Sequence, residues 1–317
     1  MEQKRRAATG LLSLCLLTMG SGCTSDPPPP EARPPAPVTP APTPAPQAAA
    51  ALPRPVEPAP RLEAVPAALA ETVEPLVDAG PPFVPDTFMP RIPRPLAVPG
   101  YHPASFVGPS APGPWPRPVV VVLHGRDCHP EDECALWRRA VGDESWVLCP
   151  RGEPSERRPG EDRWTYPDAF RLREEVEAAI VALERRYPGQ VASDGRTLAG
   201  FSLGANLAPW VAAQSPGLFT WLVVVEGTVR HLDAERITAL REAGIEGVGL
   251  FMSVVWRIHR AAEVAPTLEE AGLRVVQLDM RGAGHAYRPD FPTIGREAMA
   301  RLREPMVGLQ AAASPRP

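Results

Sequence analysis

Six runs of the chain, at 118–123, 145–149, 196–201, 220–225, 247–253 and 273–278, are apolar along most of their length instead of at every second residue. A strand with one wet face alternates, so runs of this kind read as strands buried on both faces. Most of the segments between them are helical in pattern. The clearest is Ala169 to Leu183, where apolar residues recur at helical spacing and charges fill the other side. Buried strands separated by amphipathic helices predict an α/β domain with a mainly parallel, doubly wound sheet. Two weaker extended stretches, about Thr87 to Val98 and Tyr101 to Val107, precede it.

One of these runs ends in a turn with chemical consequences. Arg196 to Leu207 reads as strand, sharp turn and helix, with Ser202 at the apex of Gly200-Phe201-Ser202-Leu203-Gly204. Such a turn lifts a serine oxygen clear of the backbone, and its glycines permit an approach that side chains would block. The amide of Leu203 then points from a helix N-terminus into the same space, where a developing oxyanion is stabilised. The pentapeptide alone arises by chance in roughly one chain in ten of this length, so its surroundings must carry the reading. Upstream, Pro118 to Leu123 runs into His124-Gly125; downstream, Gly282-Ala283-Gly284-His285 follows another strand. His124, Ser202, Glu226 and His285 all fall at strand ends or in the loops after them, the edge where sheets of this type bind and react.

In this order the motifs resemble the α/β-hydrolase family over roughly residues 100 to 310, and more loosely its small branch of dienelactone-hydrolase, polyhydroxybutyrate-depolymerase-like and carboxylesterase proteins. The resemblance implies Ser202 as nucleophile, His285 as general base, and an oxyanion hole from the amides of Leu203 and Arg126. His124 would brace the oxyanion loop. It also implies two-step cleavage of a small-molecule or polymeric ester without metal or organic cofactor. No long insertion separates the strands at 220–225 and 247–253, so no large lid is expected.

The acid of such a triad is expected just past the strand at 247–253, yet Leu250 to Arg260 contains neither Asp nor Glu. Glu226, ending the preceding strand, is the assigned substitute. Asp279 is the other candidate, but only six residues separate it from His285. A Ser–His dyad remains open, as does a domain that keeps the fold without turnover and acts as a surface-tethered binding or scaffold module. Trp164, in Arg163-Trp164-Thr165-Tyr166, is the expected substrate contact. Arg126 and Arg257 near the same edge would favour an anionic substrate or simply be solvated.

The rest of the chain is of a different kind. Of 317 residues 44 are proline, more than a core tolerates, and they are densest ahead of the domain. Residues 1–23 carry Lys4, Arg5 and Arg6, an apolar run from Ala7 to Met19, then Gly20-Ser21-Gly22-Cys23, the pattern of an export signal. About 13 apolar residues are too few to span a bilayer that needs about 20. The segment resembles a bacterial lipoprotein signal, with Cys23 as the lipid-bearing residue, although Gly20 stands where an aliphatic is usual. Plain secretion with cleavage nearby is the other reading. Residues 24–82, rich in Pro and Ala, are expected to be an extended spacer, with a brief helix possible at 67–77, and 83–312 to be the hydrolase domain. A lipid anchor in the bacterial envelope follows from this arrangement.

Lysine occurs once, at Lys4, which excludes a phosphate-loop lysine, a Schiff base and a lysine base from the domain. The formal charge is −4, and loss of a leader carrying +2 leaves −6, which argues against a nucleic-acid surface. Cys128, Cys134 and Cys149 allow one disulfide, Cys128–Cys134 or Cys134–Cys149, with one thiol left over. A metal site from Cys128, His129 and Cys134 lacks a completed zinc spacing.

Overall fold

A computed structural model describes residues 92–111 and 113–304. The expected signal at 1–23 with Cys23, the spacer at 24–82, the short helix at 67–77 and the domain ends at 83–91 and 305–312 lie outside them.

The main sheet has eight strands: β1 (Arg94–Leu96), β2 (Ala104–Val107), β3 (Val119–Leu123), β4 (Trp146–Cys149), β7 (Thr197–Phe201), β8 (Trp221–Val225), β9 (Gly247–Met252) and β10 (Arg274–Asp279). Their order is β1-β2-β4-β3-β7-β8-β9-β10. β1 and β2 pair antiparallel, β2 runs antiparallel to β4, and the remaining neighbours are parallel. A two-stranded hairpin of β5 (Glu153–Pro154) and β6 (Trp164–Thr165) stands apart from it.

The continuous apolar runs supply two cores, because successive side chains leave a strand on opposite faces. Val119, Val121, Leu123, Leu198, Leu222, Val224, Val248 and Leu250 belong to one buried cluster. α2 (Ala169–Arg186), α3 (Leu203–Gln214), α4 (Ala234–Glu242) and α5 (Val255–Glu270) close that face, through residues such as Leu172, Val211, Leu240 and Leu268. Val120, Val122, Ala199, Phe201, Val223, Val225 and Phe251 belong to the other, under α1 (Pro130–Val141) and α6 (Phe291–Arg303). Each such Val or Leu contributes about 1.5–3 kcal/mol by its burial, so neither face tolerates a polar substitution.

Helix starts follow local chemistry. The Asp168 carboxylate caps α2 by accepting from the Arg171 amide at 2.8 Å, and Asp233 does the same for the Arg236 amide at the start of α4. α1 opens on Pro130 with Glu131, Asp132 and Glu133 in its first turn, where acidic groups meet the positive helix end. Only α4 and its flanking loops fill the connection from Val225 to Gly247, so no large lid is built there.

Of the two cysteine pairings left open, the fold selects Cys134–Cys149, with Cα atoms 5.9 Å apart across 15 residues of sequence. It ties α1 to the end of β4, and closing a loop of that length stabilises by about 3 kcal/mol in a chain-entropy treatment. With its sulfur so bonded, Cys134 cannot serve as the thiolate that a Cys128–His129–Cys134 metal site requires. Among the described residues no group of three or more His, Cys, Asp or Glu is arranged to hold a metal ion.

Candidate active site

Parallel register aligns the strand ends. Phe201 of β7 is opposite Val225 of β8, and Val225 is opposite Phe251 of β9. The ladder continues one residue beyond each strand, with the Ser202 amide donating to Val225 at 2.9 Å and the Glu226 amide to Phe251 at 3.0 Å. Ser202 and Glu226 are therefore neighbours on one rim although 24 positions separate them in the sequence. Both turn off their strands with left-handed backbone, φ 51° and 56°. For non-glycine residues that conformation is costly and is retained where the surroundings over-determine it.

The glycines of the turn are a packing requirement. A Cβ on Gly200 would lie 2.4 Å from the carbonyl carbon of Gly204, and one on Gly204 would lie 2.4 Å from the Leu123 carbonyl oxygen. β7, the start of α3 and the end of β3 thus meet backbone to backbone. The Gly204 amide donates to the His124 carbonyl at 3.2 Å, which joins the serine turn to the loop after β3. Leu203 precedes it as the first residue of α3, where an amide has no carbonyl within its own helix to bond.

His285 returns to this rim in the loop after β10. Its Nε2 is 2.8 Å from Ser202 Oγ and its Nδ1 is 3.0 Å from Glu226 Oε2. Its ring lies against Phe201, with centroids 5.2 Å apart. Alcohol, imidazole and carboxylate therefore form one hydrogen-bonded row, the geometry of a nucleophile, a base and the group that orients the base.

Glu226 is 1% exposed. Its Oε1 accepts from the backbone amide of Ser253, and the Ser253 hydroxyl is 2.8 Å away. That hydroxyl also lies against the Gly284 carbonyl, beside His285. Burial pushes the Glu226 carboxyl up, but the hydrogen bonds from His285 and Ser253 and the nearby Arg257 outweigh it and hold the group below its ordinary value. Ser253 stands just past β9, where the resemblance led to the expectation of an acid. The carboxylate comes instead from one strand over, and the serine at the expected place holds it. Asp279, the other candidate, is exposed and paired with Arg281, its Oδ2 3.0 Å from Nε.

Around this row the remaining expected residues take different places. His124 is fully buried, with Nδ1 2.7 Å from the Gly125 carbonyl and Nε2 2.8 Å from the Arg151 carbonyl. Burial pushes its pKa down; a neutral ring has one N–H, so it bonds one of these carbonyls at a time. Tyr166 packs on it, accepting from the His124 amide at 3.1 Å and donating to Pro150 at 3.0 Å. Arg126 follows in an exposed turn between His124-Gly125 and Asp127. Trp164, expected to touch substrate, bonds Cys128 through its backbone, while its ring packs on His102 at 4.9 Å and on the Arg151 guanidinium at 4.8 Å. Arg257 was expected only near the rim. Its Nη1 reaches the Glu226 carbonyl, Glu226 Oε2 at 3.0 Å and His285 Nδ1 at 2.7 Å. No local signal marks this arginine, since it sits in the first turn of α5 like any solvated charge.

A mainly parallel eight-stranded sheet, a strand–serine–helix turn at its carboxyl edge and a histidine loop after the last strand define the architecture. The chain has the α/β-hydrolase fold. No protein-family model matches the sequence and no curated protein matches it. Solved structures do. An uncharacterized protein from Bacillus cereus ATCC 10987 is 15% identical with a TM-score of 0.50, over 61% of this chain and 61% of its own. Esterase PE8 is 18% identical with a TM-score of 0.49, over 65% of this chain and 99% of its own. The Bacillus cereus carboxylesterase is 18% identical with a TM-score of 0.46, over 62% and 93%. At these identities the likeness is one of fold.

Proposed function

We propose that this α/β-hydrolase-fold chain is a serine-dependent hydrolase of carboxylic esters. One observation carries the reading: the imidazole of His285 bridges Ser202 Oγ at 2.8 Å and Glu226 Oε2 at 3.0 Å. Esterases among the structural neighbours are in keeping with it. In the proposed reaction Ser202 attacks the ester carbonyl while His285 Nε2 takes its proton. The amides of Leu203 and Arg126 receive the oxyanion, and Glu226 offsets the charge on the imidazolium. His285 then protonates the departing alcohol. Water, deprotonated by the same nitrogen, attacks the acyl-enzyme and releases the acid and Ser202. Trp164 and Arg126 are the proposed contacts to the substrate.

The test is hydrolysis of short p-nitrophenyl esters together with labelling by a fluorophosphonate probe. The wild-type chain should turn over and label, and Ser202→Ala should do neither. A wild-type chain that does neither, with Ser202→Ala indistinguishable from it, ends the hydrolytic reading. The rival, a domain that keeps the fold without turnover, has one observation in its favour: Arg257 Nη1 lies 2.7 Å from the nitrogen that should face the acid. The same assay separates the two.

Attachment to the bacterial envelope through Cys23 is also proposed, on the sequence of residues 1–23 alone. Incorporation of labelled palmitate by the wild-type chain and its absence in Cys23→Ser is the expected result; equal incorporation sinks it.

A further inference from the structure

A base that accepts the serine proton at Nε2 must carry its own proton on Nδ1 and donate it to the acid. Arg257 contests that arrangement. Its Nη1 has two protons and no acceptor capacity, and one proton is taken by the Glu226 carbonyl. The other has two acceptors in reach, Glu226 Oε2 at 3.0 Å and His285 Nδ1 at 2.7 Å. If it goes to Nδ1, the ring proton resides on Nε2 and is donated to Ser202 Oγ, the imidazole has no lone pair left for the serine proton, and Nδ1 faces Glu226 Oε2 at 3.0 Å as acceptor against acceptor. If it goes to Oε2, two donors face each other at the shorter of these two separations. Two donors at 2.7 Å are a closer conflict than two acceptors at 3.0 Å, and that difference favours the first arrangement.

Among the described residues the guanidinium is held by hydrogen bonds through Nη1 alone, although the side chain is only 17% exposed. Its Nε has no hydrogen-bond partner, and burial pushes its pKa down. An exit lies beside it. The guanidinium carbon is 5.0 Å from the centroid of the Trp256 ring, which is 51% exposed and lines a cleft of about 580 Å³ with Thr228, Arg230 and Glu263.

Taking the hydrolase reading as given, we propose that Arg257 is a positioning residue that holds His285 in its Nε2-protonated form and so keeps the site at rest, until the guanidinium swings out along Trp256. On release the Nε2 proton passes to solvent and Nδ1 takes one up, so the ring's proton count is unchanged. Nδ1 then donates to Glu226 Oε2 and Nε2 accepts from Ser202. The groups facing the ring are Ser202 at the start of α3, Glu226 after β8, Arg257 on α5 and the Phe201 ring of β7. Ser253 lies behind Glu226, and the Tyr287–Glu133 pair lies behind Phe201. Among the described residues no other ionisable side chain is in hydrogen-bond contact with the His285 ring.

The experiment is nitrogen NMR of the full chain with labelled histidine, His285 being assigned by the signal lost in His285→Gln, alongside the rate of fluorophosphonate labelling. Wild type should show His285 protonated at Nε2. Arg257→Gln should move the proton to Nδ1 and raise the labelling rate about tenfold. Wild-type His285 already protonated at Nδ1 overturns the proposal, and that measurement needs no variant to fold. Labelling that is equal or slower in Arg257→Gln also overturns it, while leaving the hydrolase reading intact. Labelling in neither chain ends the hydrolase reading and the resting state with it, and the NMR result then decides only whether Arg257 holds Nδ1.

Discussion

Ser253 directs both its backbone amide and its hydroxyl at one oxygen of Glu226, Oε1, which leaves Oε2 to His285 and Arg257. A carboxylate held in this way can change neither its orientation nor its charge without breaking bonds to the end of the neighbouring strand. Bonds from just past β9 thus help His285 hold this carboxyl below its ordinary value, although Glu226 itself follows β8.

Glu226→Gln keeps the side chain's shape and removes its charge. Turnover should fall about a thousandfold to ten-thousandfold, because the imidazolium formed during acylation then has no anion beside it. Asp279→Asn should change turnover less than about twofold, since that carboxylate is paired with Arg281. Steady-state kinetics on one neutral ester measures both. The reverse ranking transfers the acid role to Asp279.

Ser253→Ala removes one of the bonds that keep Glu226 ionised. A carboxyl whose folded-state pKa is depressed contributes stability and activity above its ordinary value and loses them as pH falls through the depressed one. Without the hydroxyl, that loss should begin at higher pH, and kcat at neutral pH should fall by about tenfold. The pH dependence of kcat for the two proteins decides it; an unmoved acid limb removes Ser253 from the account.

Gly204→Ala places a methyl group 2.4 Å from the Leu123 carbonyl oxygen, a backbone atom that cannot turn aside. Overpacking of this kind costs about 1–3 kcal/mol, and here a helix must back away from a strand. The melting temperature should drop by several degrees, and Ser202 should label slowly even where the protein still folds. An unchanged melting curve shows that α3 can shift without loss.

Glu133 is buried, accepts a hydrogen bond of 3.0 Å from Tyr287, and has its pKa pushed up to about 8 by burial. The folded chain therefore keeps a proton that the unfolded chain releases above the ordinary carboxylate value. Stability from this group is full at low pH and is lost as pH rises towards 8. Glu133→Gln should remove that slope and stabilise the protein at pH 8 and above. Chemical denaturation across this range measures it, and parallel curves for the two proteins place the slope elsewhere.

Much of the fold is legible in local pattern. The apolar runs at 118–123 and 220–225 correspond to β3 and β8, and the amphipathic stretch from Ala169 to Leu183 continues three residues further as α2. The β5–β6 hairpin went unread, since its strands have two residues each and its pairing depends on the backbone of Cys128. The cysteine pairing also stayed open in sequence, because both choices close short loops; the nearness of α1 to the end of β4 decided it.

By itself the sequence determined most of the main-sheet strands and the clearest helix, and where a serine is lifted from a turn. Both follow from periodicity and from glycines a few residues apart, interactions that neighbours along the chain settle between themselves. Only the tertiary structure decided that the His285 imidazole meets Glu226 from the preceding strand end, that Ser253 fixes that carboxylate, and that Arg257 competes for the same nitrogen. Those contacts join residues 27 to 59 positions apart and depend on parallel register and on where each loop returns, which no local pattern specifies.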